Sequence, residues 1–102
     1  MAHDCLRLDA HDGRLSLIGE LDHAGVAQAL VQSRSWLASG TGKLQVDLAG
    51  VTRSESAGIA LLLEWLREAR RRGRDIEFQN PPAQMLSMLK FFELEQMLPI
   101  RA

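Results

Sequence analysis

The sequence is short of several residue types, and each shortage excludes something. It holds one cysteine, Cys5, so no disulfide can close within the chain, which fits a reducing compartment. It has no tyrosine and only three phenylalanines, few rings on which bases could stack. It has no cationic surplus. Twelve Lys and Arg face thirteen Asp and Glu, whereas nonspecific nucleic-acid binding rests on an excess of positive charge. The longest apolar run, Ile59–Leu63, is far below the ~20 residues that span a bilayer. Met1–Ala10 mixes Asp4, Arg7 and Asp9 with apolar residues, so no signal peptide is expected and the reading is cytoplasmic.

What is present is an ordinary globular balance: 46% hydrophobic and 25% charged over 102 residues. That is one domain, residues 1–102, with one core. Cys5–Leu8 and Arg14–Gly19 flank His11-Asp12-Gly13, a hairpin signal. Asp22 is placed to cap a helix in which Val26, Leu30, Ser33 and Leu37 share a face, ended by Gly40 and Gly42. Lys43–Leu48 alternates as a half-buried strand. The longest helix is predicted over Ser56–Arg72, followed by a strand over Asp75–Gln79. Pro81 and Pro82 suit the start of a last helix with Met85, Leu86, Met88 and Leu89 on its apolar side. Phe91–Leu98 forms a short tail element. The order β-β-α-β-α-β-α predicts an α/β fold with one mixed, mostly parallel sheet of about 4–5 strands. Alternating rather than uniformly apolar strands place the helices on one face.

Catalytic signatures are missing. A G-x-S-x-G elbow is absent, because Ser54 occupies its first position, and no histidine follows His23. Gly40-Thr41-Gly42-Lys43 has the wrong spacing for a phosphate-binding loop. His3, Cys5, His11 and His23 lack metal-ligand spacing. No metal or cofactor is expected, and Glu20 with Asp22 reads as turn and cap rather than as an acid–base pair.

Two segments resemble the STAS family, named for sulfate transporters and anti-sigma-factor antagonists. They are Gly19-Glu20-Leu21-Asp22, like the family's GELD turn, and Val46–Leu63, which contains Ser54-Glu55-Ser56-Ala57-Gly58. The second is similar to the family's D-(S/T)-x-G loop, with Glu55 where Asp is usual and Ala57 where antagonists commonly carry a second serine. Val51-Thr52-Arg53 and Gly58–Leu63 look closest to the MlaB type. That resemblance implies a non-catalytic cytoplasmic subunit that binds and activates the ATPase (MlaF-like) of an ABC transporter. The transporter, with its permease, would move phospholipids and maintain outer-membrane lipid asymmetry in Gram-negative cells. Contact with the inner membrane would be indirect. The alternative is an anti-sigma-factor antagonist switched by phosphorylation of Ser56.

Ser56 opens a helix, where free N–H groups and the positive dipole end lie. It reads as a partner contact, a phosphosite, or merely an N-cap (with Ser54). Ile59, Leu62, Leu63, Leu66 and Ala69 share a core stripe. That stripe leaves Ala57, Leu61 and Trp65, beside Arg53 and Glu55, as a docking strip, the alternative being that the tail covers them or that Trp65 lies sideways into the core. On the docking reading a charge at Leu61 is expected to weaken docking without unfolding. Gly19, Asp22 and Gly58 are structural. Asp47 is placed to bond the Ser56 loop, and Arg70, Arg71, Arg72 and Arg74 suit a helix C-terminus. Phe91, Phe92, Leu94, Met97 and Leu98 are expected to pack as core and tail; the MlaB resemblance instead implies that the last helix and tail lie near the ATPase, with Met85 and Met88 as adaptable contacts.

Overall fold

Alternation decides which side of each strand is buried. In the computed structural model, which describes residues 6–101, the strands are β1 (Arg7–His11), β2 (Arg14–Leu21), β3 (Leu44–Ser54), β4 (Ile76–Gln79) and β5 (Ile100–Arg101). The helices are α1 (His23–Gln32), α2 (Arg34–Ala38), α3 (Ser56–Arg71) and α4 (Ala83–Phe91). The strands form one sheet in the order β1-β2-β3-β4-β5, with β1 antiparallel to β2 and every other pair parallel. Leu15, Leu17, Leu44, Val46, Leu48, Ile76 and Phe78 point into one core. Arg14, Ser16, Gln45, Asp47 and Glu77 stay on the wetter side. The dimensions, 36 × 34 × 19 Å, suit one sheet covered by one layer of helices. The expected first residues of β1, with Cys5 and His3, lie outside the described residues.

Three elements differ from the sequence-based expectation. The helix after Asp22 breaks at Ser33 into α1 and α2. There the Ser33 hydroxyl turns inward and accepts from Trp65 Nε1 at 2.9 Å, and it reaches the Leu30 carbonyl one turn back at 3.5 Å, the local side chain–backbone contact that competes with helix bonds. β3 runs on to Ser54, because register shifts against β2 after Ser16 and after Gly19 re-aim Val51 and Ser54 into the core. The tail adds β5, whose two residues continue the sheet beyond β4 but are too few to show alternation.

The largest correction concerns α3. Leu61 is 1% and Trp65 0% exposed, so the expected docking strip is core. α3 packs on the sheet below and on α1 alongside, and Trp65 stacks edge-on against Trp36 at 6.1 Å. The buried residues Gly58, Ile59, Leu61, Leu62, Trp65, Leu66 and Ala69 span an arc of about 160° at ~100° per residue. Ala69 lies at the middle of that arc, and Trp65 about 40° inside the edge that Leu61 marks. Met85 is fully buried, not an adaptable surface contact. Conversely, Phe91 (81%), Phe92 (48%) and Met97 (56%) are exposed rather than packed. At ~100° per residue Phe91 falls on the side of α4 away from buried Met85 and Leu89, and Phe92 is the C-cap, where the helix ends. Leu98 does pack inward.

On the wet face Asp47 accepts from Arg14 Nη2 at 3.0 Å, from the Ala49 N–H at 3.0 Å and from Asn80 Nδ2 at 3.3 Å. It therefore serves β2, β3 and the turn after β4, not the Ser56 loop. Burial alone raises its pKa, but those three donors outweigh burial and hold it below the ordinary value. A depressed carboxyl contributes stability above the unfolded pKa and loses it as pH falls through the folded one. The stability gap between wild type and Asp47→Asn, read from urea midpoints, is expected to shrink as pH drops below about 4. A gap constant from neutral pH into that range contradicts this assignment.

Burial of Leu61 also makes a sharp prediction. Leu61→Asp places a charge in the core and is expected to abolish the cooperative unfolding transition. Trp65→Phe, which strips Ser33 of its donor, is expected to cost about 1–3 kcal/mol. A native-like midpoint for Leu61→Asp is the result that contradicts the packing.

Candidate functional site

Parallel strands deliver their C-terminal ends to one edge of the sheet, and helix N-termini follow them there. β2 ends at Leu21 opposite Ser54 of β3. Gly19, at φ 123°, accommodates the register shift just before the turn. Asp22 then caps α1, its Oδ1 accepting from the Gly25 N–H at 2.7 Å. Glu20 is exposed, and its carboxylate shares no hydrogen bond with Asp22 among the described residues. This pair is a turn and a cap.

The chain leaves β3 through Ser54 and Glu55 into α3. Ser54 is buried, and its hydroxyl donates to the Glu55 carbonyl at 3.0 Å. Glu55 donates its N–H to the Leu21 carbonyl at 3.0 Å. Glu55 is the N-cap, but its side chain makes no capping bond. The reading of Ser54 or Ser56 as the capping side chain is therefore corrected. Ser56 is the first helical residue and is exposed, as are Arg53 and Glu55, while Ala57 is half-buried. Gly58 is required by close approach: a Cβ there would meet Ser54 Oγ and would lie 3.0 Å from Leu21 Cβ. This contact seats the first turn of α3 on the strand ends and turns Ser56 outward.

The outward face of α3 runs from Ser56 through Ala60 to Arg67, with Glu64 and Arg67 paired at 3.6 Å. Beside it, a groove of about 540 Å³ separates α1 and α2 from α3. Val26, Leu30, Arg34, Ala60 and Glu64 line it, and Trp65 lies at its floor. The surface thus has a hydroxyl, a small residue and a shallow apolar slot, with the exposed Glu55 carboxylate at the N-cap beside the positive end of the helix dipole. Arg53, Glu55, Ser56 and Ala57 are brought together; Leu61 and Trp65 are behind them. Ala60 was missed, although its spacing of four from Ser56 puts both on one face. In the basic cluster, Arg71 and Arg72 pair with Glu68 at 3.1 and 3.2 Å. Arg74 is buried and donates to the carbonyls of Leu37, Ser39 and Gly42, so these arginines hold the fold.

No group of three or more His, Cys, Asp or Glu that could hold a metal occurs among the described residues, and none of their helices is long and apolar enough to cross a membrane.

This architecture is that of solved anti-sigma factor antagonists. The anti-sigma factor antagonist SpoIIAA in its unphosphorylated form aligns with a TM-score of 0.74 at 19% identity, over 96% of this chain and 88% of that one. The Bacillus cell-fate determinant SpoIIAA in its phosphorylated form aligns at 0.70 and 20%, over 96% and 91%. An antagonist from Mycobacterium paratuberculosis aligns at 0.74 and 22%, over 94% and 83%. These likenesses define the STAS fold. The family model described as Mlab, STAS domain matches residues 6–99, and the chain belongs to that family. No curated protein matches it.

Gly58→Ala tests how the site is seated. Within an ordinary helix the change gains about 1 kcal/mol. Here the contact with fully buried Leu21 is expected to reverse the sign, with a loss of about 1–3 kcal/mol. Thermal unfolding reads the sign directly, and a raised Tm contradicts the close approach.

Proposed function

We propose that this protein is a non-catalytic cytoplasmic subunit that docks, through the Ser56 face, onto the ATPase of an ABC transporter for phospholipids. The carrying observation is an exposed serine at the head of α3, in a chain matched by the Mlab, STAS domain family. The chemistry of the face supports docking rather than catalysis. Ser56 has no histidine in its own segment to act as base, whereas its exposed hydroxyl and the free N–H groups of the first turn can take acceptors from a partner. Arg53 and Glu55 flank it with opposite charges suited to orienting an encounter. Ala60 and the adjoining groove admit a partner side chain. Binding one conformation of the ATPase more tightly than others would shift the population toward it by that difference in affinity. Association with the inner membrane follows through the partner.

A second reading has its own support. Structural neighbours are anti-sigma factor antagonists, one solved in phosphorylated form, and Ser56 is open to modification. A phosphate there would add up to about two negative charges at the positive end of α3. Ala57, where antagonists commonly carry a second serine, weighs against it.

Co-expression with the ATPase subunit of an Mla-type transporter separates the readings. Ala60→Arg, which thrusts a long cation into the middle of the face, is expected to cut retention of the ATPase by about tenfold or more. Ser56→Ala is expected to cut it by about threefold, within the range of one hydrogen bond. Both should leave Tm within a few degrees of wild type. Undiminished retention by both variants removes the Ser56 face from the interaction. Retention of a kinase-type anti-sigma factor instead, with phosphate found on Ser56 by mass spectrometry, favours the second reading.

A further inference from the structure

β3 is longer than its neighbour. It pairs with β2 as far as Ser54, but β4 covers only Leu44–Asp47 on its other side. The peptide groups of β3 that face β4's side beyond Asp47 therefore have no strand to bond. At Ser54 a side chain takes the strand's place. Gln84, in the first turn of α4, accepts from the Ser54 N–H at 3.0 Å and donates to the Ser54 carbonyl at 2.8 Å. One primary amide carries both a donor and an acceptor, so it can satisfy both Ser54 peptide groups at once, the two-way exchange that one residue makes in an antiparallel hydrogen-bonded pair. The other side of the loop is tied by a strand contact, Glu55 N–H to the Leu21 carbonyl. The loop that presents Ser56 is thus held from both sides, by β2 on one and by α4 on the other.

We infer that Gln84 is a positioning residue: it stands in for a missing strand and fixes the Ser54–Ser56 turn in the conformation that presents Ser56. This deepens the docking reading and rests on it only for the consequence to partner binding. Gln84 is itself exposed, so its role is separable from core packing. Its amide also lies 3.2 Å from Met88 Sδ, one turn further along α4. The direction of α4 is set upstream by Asn80, at φ 56°, whose N–H donates to the Arg101 carbonyl and whose side chain donates to Asp47. A displacement of α4 would therefore be felt at the Ser54 peptide through the Gln84 side chain.

The test uses two near-isosteric variants of the full chain and follows backbone amides by NMR hydrogen exchange. Gln84→Met keeps the bulk and removes both polar atoms. Gln84→Glu at neutral pH keeps an acceptor for the Ser54 N–H and loses the donor to its carbonyl. Exchange at the Ser54 amide is expected to quicken by about tenfold or more in Gln84→Met. It should stay within about threefold of wild type in Gln84→Glu, while amides of Leu15, Val46 and Leu62 are unchanged in both. An unaltered Ser54 amide in Gln84→Met, or a uniform rise across those core amides, overturns the inference. So does an equal rise at Ser54 in both variants. With the co-expressed ATPase, Gln84→Met should lower retention in step with the loosened loop, and full retention despite a loosened loop overturns the positioning role. If wild type itself retains no ATPase while Ser54 responds as expected, the clamp is supported and the docking reading fails.

Discussion

The structure depends on one close approach, the first turn of α3 resting on the ends of β2 and β3. Gly58 has no Cβ to hold it away from Leu21 and Ser54. Glu55 continues the strand pairing by one more hydrogen bond to Leu21 before the helix begins. Together these leave the helix one way to start, with Ile59 and Leu62 directed into the core and Ser56 directed out. The exposed serine is thus a consequence of backbone packing at the strand ends. Its neighbours are fixed for the same reason: Arg53 by its place on β3, Ala57 and Ala60 by helical spacing.

The rest of α3 shows how little of a helix a small domain leaves free. With the sheet beneath it and α1 beside it, the helix buries an arc wide enough to include both its Leu61 side and its Ile59 side. Trp65 fills the corner where these surfaces meet, its ring edge-on to Trp36 and its N–H bonded to Ser33. The bond satisfies the Trp65 indole in the core, whereas the Trp36 Nε1, also buried, has no partner among the described residues. The outward strip is narrow, headed by Ser56 and carrying Ala60 and Arg67. Function, on this account, is confined to that strip and the groove beside it.

Much of the fold was legible because two-residue alternation and the Asp22 cap are local signals. Lys43–Leu48 and Asp75–Gln79 carried the first, and Gly19-Glu20-Leu21-Asp22 carried both the turn and the family resemblance. The site was half legible. Ser56, Glu55 and Arg53 follow from where the helix starts. Leu61 and Trp65 were misplaced because a hydrophobic stripe read from spacing assumes one packing surface, and α3 packs on the sheet, α1 and α4. Nothing local marks Gln84, whose importance comes from strand lengths set elsewhere, or β5, which is two residues long. Phe91 and Phe92 misled for the opposite reason: hydrophobicity alone says inside, while Phe91 sits on the face of α4 away from Met85 and Leu89 and Phe92 at the helix end.

The central claim is that the strip headed by Ser56 is where another protein sits. Amide chemical-shift mapping of the labelled domain, on titration with a purified Mla-type ATPase subunit, tests it most directly. Shifts and broadening are expected to concentrate at Arg53, Glu55, Ser56, Ala57 and Ala60 and to extend to Leu30 and Glu64 along the groove. Perturbations confined to β1, the wet face of the sheet or the Phe91–Phe92 end of α4 would contradict it.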